Sequence, residues 1–131
     1  MIPSDGADRH YDTAGNLARS MTDGNAWLSG QTGGSTLRVD TCGGVPDVTF
    51  VRIPHTDAQI RASHQYVRDR VQDDVGALGF RDAHKVYLTW YDGSSDWSCG
   101  GGAWPPDLVG HVAAEYLLGE PPGAPACGRP S

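Results

Sequence analysis

The longest regular pattern in this chain is a capped apolar stripe between residues 56 and 79. Thr56 and Gln59 have the spacing of a capping box, in which each side chain satisfies a free backbone N–H of the first helical turn. Apolar positions then recur at helical spacing and form one stripe, which consists of Ile60, His64, Val67, Val71, Val75 and Leu78. The pattern predicts a single amphipathic helix over residues 56–79, which must bury this face against another layer.

Runs of β-branched and aromatic residues predict the sheet on which this helix packs. Two strands are expected within residues 36–53, a third at residues 85–91 and an edge strand near residues 111–118. One face of the third strand carries Val86, Leu88 and Trp90.

A second helix is expected over residues 12–34, where apolar residues recur near helical spacing and Gly33-Gly34 end the pattern. The order of elements predicts an α/β fold of the α+β kind, with a mixed twisted sheet of about four strands and two main helices packed on it. Residues 92–131 hold a long Gly/Pro-rich loop, the edge strand and a Pro-rich tail. The length of 131 residues predicts one domain.

Charge and hydropathy argue against two kinds of partner. The net charge is −6 and the ten basic residues are scattered, whereas a nucleic-acid surface needs clustered Lys and Arg. No apolar stretch approaches the roughly 20 residues of a membrane span. The first residues of the given sequence also lack the charged and apolar regions of a signal peptide.

The three cysteines indicate a disulfide. Cys99 and Cys127 both lie in Gly/Pro-rich segments, and a bridge between them would close a loop of about 28 residues, worth about 3–4 kcal/mol. Cys42 is then left over, either as a free thiol or with a partner outside this sequence. Three reduced cysteines are the alternative.

The sequence predicts neither catalytic nor metal-ligating residues, and therefore no cofactor, in this chain. Its histidines are His10, His55, His64, His84 and His111. No two lie four residues apart, so a His-Glu-x-x-His zinc helix is absent. His64 lies on the apolar stripe and is interpreted as a partly buried core histidine. A Gly-x-Ser-x-Gly nucleophile elbow and a phosphate-binding Gly-Lys-Ser/Thr are absent as well.

Aromatic side chains give the best candidates for ligand contact. Trp97 and Trp104 flank three consecutive glycines in a segment with little core to fill, and Tyr91 ends the strand before them. Exposed aromatic rings stack on sugars or form the wall of a peptide site. The alternative is that they cover the edge of a thin core.

Three stretches together resemble a known group of proteins. They are AWLSGQTGG with LRVDT (residues 26–41), DVTFVR (residues 47–52), and a run from YDG through CGGGAWPP to PPGAPAC (residues 91–127). In this order they are similar to segments of secreted, actinobacterial-type proteins that resemble zinc metallopeptidases of the zincin kind. The resemblance covers most of the chain.

This resemblance implies an extracellular protein whose His-Glu-x-x-His helix would follow the Pro-rich cysteine segment. Zinc is therefore expected only in a longer homologous protein, and the given chain is expected to be part of a domain. The implied role is on the substrate side, with the predicted edge strand near residues 112–117 pairing with an extended peptide. A first strand cut short at residues 2–3 would leave a sheet edge open and favour a homodimer.

We therefore expect the scaffold and substrate-cleft portion of an extracellular zinc-peptidase-like domain, without the catalytic zinc motif. The alternative is an extracellular carbohydrate- or peptide-binding module that uses the loop of Trp97 and Trp104. A small structural or inhibitory domain is a third possibility.

Overall fold

A computed structural model describes residues 1–103 and 110–119 of the chain. Its elements, in chain order, are α1 (Asn16–Thr32), β1 (Thr41–Cys42), β2 (Val45–Pro46), α2 (Asp57–Arg61), a 3-10 turn (His64–Tyr66), α3 (Val67–Ala77), β3 (Tyr87–Ser95), β4 (Gly100–Gly101) and β5 (Val112–Gly119). The predicted α+β class is confirmed, although the described strands number five in two small sheets, where about four in one sheet were expected. Within these residues no helix has the length and apolar character needed to cross a membrane.

The chain divides into two compact units. The smaller unit is residues 8–50, and the sheet unit contains residues 1–7 together with the chain from residue 51 onward. The single domain expected from the chain length stays a prediction.

The smaller unit consists of α1 and the short hairpin of β1 and β2, and none of its residues is buried. In place of the two longer strands predicted within residues 36–53, the structure has the two-residue strands β1 and β2 and an isolated bridge of Arg52 with Ile2. Gly43 and Gly44 have positive φ angles of 60° and 85° and turn the chain tightly between them. Pro46 lacks a backbone N–H and cannot extend the ladder.

The sheet of the sheet unit has the order β3-β5-β4. β5 runs parallel to β3 and antiparallel to β4. The prediction of an edge strand near residues 111–118 is therefore wrong, because β5 is the middle strand. The sequence reasoning missed β4, whose two glycines have low intrinsic strand propensity.

The N-terminal residues extend this sheet beyond β3. The Met1 amino group donates to the Trp90 carbonyl (2.8 Å), and the Asp92 N–H donates to the Met1 carbonyl (2.9 Å). On its other side, Ile2 forms a parallel bridge with Arg52. The open edge expected at residues 2–3 is therefore absent, because this segment pairs on both sides.

The predicted helix over residues 56–79 is interrupted. Thr56 caps α2 through the complete capping box with Gln59, but the chain then passes through the 3-10 turn before α3 begins. His64 adopts a left-handed φ of 48° and its side chain is 66% exposed. Its interpretation as a core histidine is therefore wrong.

The core lies between this helical layer and one face of the sheet. Its buried residues are Ile53, Ile60, Val67, Val71, Val75, Tyr91, Val112, Ala114 and Tyr116. β3 contributes the face of Thr89 and Tyr91, whereas Val86 and Leu88 are exposed. Leu78, the last residue of the predicted stripe, is exposed as well.

Candidate functional site

Among the described residues, β4 is an edge strand of its sheet, and some of its backbone groups face away from β5. Gly100 pairs with Glu115 and Gly101 with Ala114, and the Tyr116 N–H donates to the Cys99 carbonyl (2.9 Å). In an antiparallel ladder, hydrogen-bonded and non-hydrogen-bonded pairs alternate. Since residue 99 is in a hydrogen-bonded pair, the N–H and C=O groups of residues 100 and 102 face away from β5. Within the described ranges, β5 is the only strand that pairs with β4.

Glycine is required in β4 because the strand lies close to its neighbours. A Cβ on Gly100 would lie 2.7 Å from the Ala114 carbonyl oxygen, and a Cβ on Gly101 would lie 3.3 Å from the Arg68 side chain. A Cβ on Gly102 would meet nothing within 4 Å. The three glycines therefore leave a bare backbone edge that another chain can approach closely.

Arg68 supports β4 from the helical side. Its side chain is only 10% exposed, and its guanidinium donates to Gln72 (2.9 Å) and to the Asp69 carboxylate. Gln72 in turn accepts from the Val112 N–H at 3.1 Å. These contacts fix β4 and β5 against α3.

Trp97 is exposed in a turn before β4 that hydrogen bonds to Ser95 hold in place. The hydroxyl of buried Ser95 accepts from the N–H groups of Trp97 (3.3 Å) and Ser98 (3.4 Å). The Ser98 hydroxyl donates to the Gly100 carbonyl at 2.9 Å. Trp97 itself is 60% exposed, so an aromatic ring stands at the solvent surface on a fixed backbone.

A histidine–aspartate pair adjoins this turn. His64 Nδ1 lies 2.9 Å from one carboxylate oxygen of Asp96, the residue before Trp97. The second oxygen of Asp96 is buried and has no hydrogen-bond partner among the described residues. The contact joins the 3-10 turn to the Trp97 turn and helps hold His64 in its left-handed conformation.

The structure separates the predicted ligand-contact residues. Trp97 is exposed, but Tyr91 is 0% exposed and donates its hydroxyl to Asp57, so its role in a surface site is not supported. Trp104 and Cys127 lie outside the described residues, and the Cys99–Cys127 disulfide stays a prediction. Cys42 is an exposed free cysteine in β1.

Asp57 ties α2 to β3, which sequence reasoning missed. Its carboxylate accepts from the Tyr91 hydroxyl (3.0 Å), the Ser94 N–H (2.7 Å) and the Ser94 hydroxyl. Burial raises the pKa of Tyr91 above its ordinary value of 10.0, and the negative charge of Asp57 raises it further. Because three donors occupy its oxygens, Asp57 acts as a structural link.

His55 is also structurally engaged. Its Nδ1 lies 2.9 Å from the carboxylate of buried Asp74, and Arg70 donates to its Nε2. With both ring nitrogens occupied, this imidazole offers no free ligand position. Across residues 1–103 and 110–119, no three His, Cys, Asp or Glu side chains form a group suited to a metal ion.

One signal in the sequence pointed toward the β4 edge. Three consecutive glycines can mark a place of close backbone approach, whereas the His64–Asp96 pair joins residues too distant in sequence for any local pattern.

Comparisons of the chain with protein-family models, curated proteins and solved structures found no match.

Proposed function

We propose that this chain is the scaffold and substrate-cleft portion of an extracellular zinc-peptidase-like domain. The observation that carries the proposal is the bare outer edge of β4 and Gly102. Exposed strand edges bind extended peptides through main-chain hydrogen bonds, with side chains alternating between the two faces. The peptide-binding edge is thus β4, where the sequence had indicated β5.

The β4 edge is well suited to a peptide main chain. Residues 100 and 102 direct N–H and C=O groups outward, of which the Gly100 carbonyl already accepts from the Ser98 hydroxyl. The absence of side chains there lets a second backbone approach to the strand spacing of about 4.8 Å. Trp97, which is exposed in the turn that precedes β4, supplies an apolar wall. The described residues do not fit zinc, so no catalytic step through a metal is assigned to this chain.

The test removes one outward donor from the edge. Gly102→Pro deletes the N–H of residue 102, whereas the matched control Gly102→Ala keeps it and adds a methyl group in open space. Calorimetric titration with a capped peptide of alternating Thr and Val should give similar Kd values for wild type and Gly102→Ala. Losing one hydrogen bond should weaken binding to Gly102→Pro by about threefold to tenfold. Equal binding by all three proteins, or no binding at all, would contradict the proposal.

Metal analysis tests the same proposal from the catalytic side. The purified chain should hold no stoichiometric zinc and should cleave no peptide, because the zinc motif is expected in a longer homologous protein. One tightly held zinc ion per chain would refute this assignment.

The predicted homodimer is tested by light scattering, and the β4 edge is the surface we propose for it.

A carbohydrate-binding module is the second candidate, and the exposed Trp97 ring is the observation that favours it. A flat aromatic ring on a pinned turn is a stacking platform for a sugar. On a glycan array, this function predicts binding that is lost in Trp97→Ala and retained in Gly102→Pro. No glycan binding by the wild-type chain would exclude this candidate on the glycans sampled.

A further inference from the structure

The surface beside the β4 edge combines an aromatic ring with an incompletely compensated negative charge. Asp96 contacts His64 through one carboxylate oxygen, while its other oxygen is buried and has no partner in the described part of the chain. The Asp96 side chain is 31% exposed, so its charge acts on the adjoining surface. Trp97, the next residue, is 60% exposed.

Two charged side chains lie next to β4. Arg68, whose side chain packs beside Gly101, already contacts Asp69 and Gln72. Glu115 is exposed on β5, on the face opposite to Ala114 and Tyr116, and adds a second negative charge near the edge. The chain as a whole has a net charge of −6.

His64 supplies an acceptor next to Asp96. If its Nδ1–H donates to Asp96, its Nε2 is left as a hydrogen-bond acceptor. The imidazole is 66% exposed, and no described residue bonds to Nε2. An aromatic face, a carboxylate and a nitrogen acceptor together match the planar, charged guanidinium group, which stacks on tryptophan and donates several hydrogen bonds.

We propose that the Trp97 turn forms a subsite for an arginine side chain of the peptide that binds along β4. This inference rests on the proposed function of that edge. The arginine would stack on Trp97 and donate to His64 Nε2, with the Asp96 carboxylate balancing its charge. The subsite thus selects peptides with a basic residue near the Trp97 end of β4.

The test compares two peptides that differ only in charge. A capped peptide of alternating Thr and Val carries either arginine or its neutral isostere citrulline at one central position, and calorimetry gives Kd for both. We expect the arginine peptide to bind wild type about tenfold more tightly. In Asp96→Asn this ratio should fall to about threefold or less, whereas the control Asp73→Asn, changed at an exposed position of α3, should keep it.

The outcomes separate this inference from the function on which it rests. Equal and measurable binding of both peptides to wild type would overturn the arginine subsite and leave β4 pairing intact. An unchanged ratio in Asp96→Asn would overturn the assignment to Asp96. If neither peptide binds wild type, the β4 proposal fails and this inference fails with it.

Discussion

Gly93 is a residue of β3 at which an added side chain would collide with its neighbours. A Cβ at this position would lie 2.3 Å from the ring of Tyr91 and 2.5 Å from a carboxylate oxygen of Asp57. Tyr91 is fully buried and therefore has little room to move. The glycine thus permits the hydrogen bonds that tie α2 to β3.

Gly93→Ala should lower the free energy of unfolding by about 1–3 kcal/mol, because the methyl group overpacks this link. Urea denaturation measures the effect. Gly102→Ala is the matched control, since its methyl group meets nothing within 4 Å, and it should change stability by no more than about 0.5 kcal/mol. Equal stabilities of the two variants would contradict the packing described here.

At the level of elements, α2 depends on its cap. Thr56 accepts from the Gln59 N–H (3.3 Å), and the Gln59 side chain accepts from the Thr56 N–H (2.9 Å). With only five residues, α2 has few internal hydrogen bonds, so these two contacts stabilise a large part of it.

Thr56→Ala should therefore cost about 1 kcal/mol of stability, whereas Thr56→Ser keeps the hydroxyl and should cost distinctly less. Thermal unfolding followed by circular dichroism checks both variants against wild type. A Thr56→Ser variant as unstable as Thr56→Ala would show that the hydroxyl hydrogen bond does not carry the effect.

Local elements were predictable from the sequence, and long-range ones were not. The capping box at Thr56 requires only residues one turn apart, and Gly33 ends α1 because it readily adopts its left-handed φ of 70°. At the break, His64 contacts Asp96, which lies 32 residues away and has no signature in the helical pattern.

The β4 edge shows the same limit at the candidate site. Its glycines have poor strand propensity, and they pair only because β5 lies beside them in the fold. Without β4, β5 has the pattern of an edge strand, so the sequence predicted peptide pairing at a strand that lies in the middle of the sheet. The exposure of Trp97 was anticipated as one of two alternatives, while the burial of Tyr91 depends on contacts with Asp57 and Tyr116.

For the whole molecule, two buried tyrosines make the free energy of unfolding depend on pH in the alkaline range. Burial raises the pKa of Tyr116 from 10.0 to about 12, and burial raises the pKa of Tyr91 as well. The folded chain therefore retains phenolic protons that the unfolded chain loses above about pH 10. Stability is complete below this pH and falls as the pH rises toward the folded-state pKa.

We expect the free energy of unfolding to decrease by about 2 kcal/mol between pH 10 and pH 12 through Tyr116, with a further decrease through Tyr91. Denaturant titrations at a series of pH values measure this slope. Tyr116→Phe removes one titrating group and should show a shallower decrease. The same slope in both proteins would show that Tyr116 does not titrate differently in the folded and unfolded states.

The central claim for the whole molecule is that β4 binds an extended peptide through its outer backbone groups. Amide NMR tests it most directly, because glycine N–H signals lie in a distinct region of the spectrum. On titration with the Thr/Val peptide, we predict that the amides of Gly100 and Gly102 show the largest shifts and slower hydrogen exchange. Unperturbed Gly100 and Gly102 amides at saturating peptide, with the largest shifts elsewhere in the chain, would contradict the account.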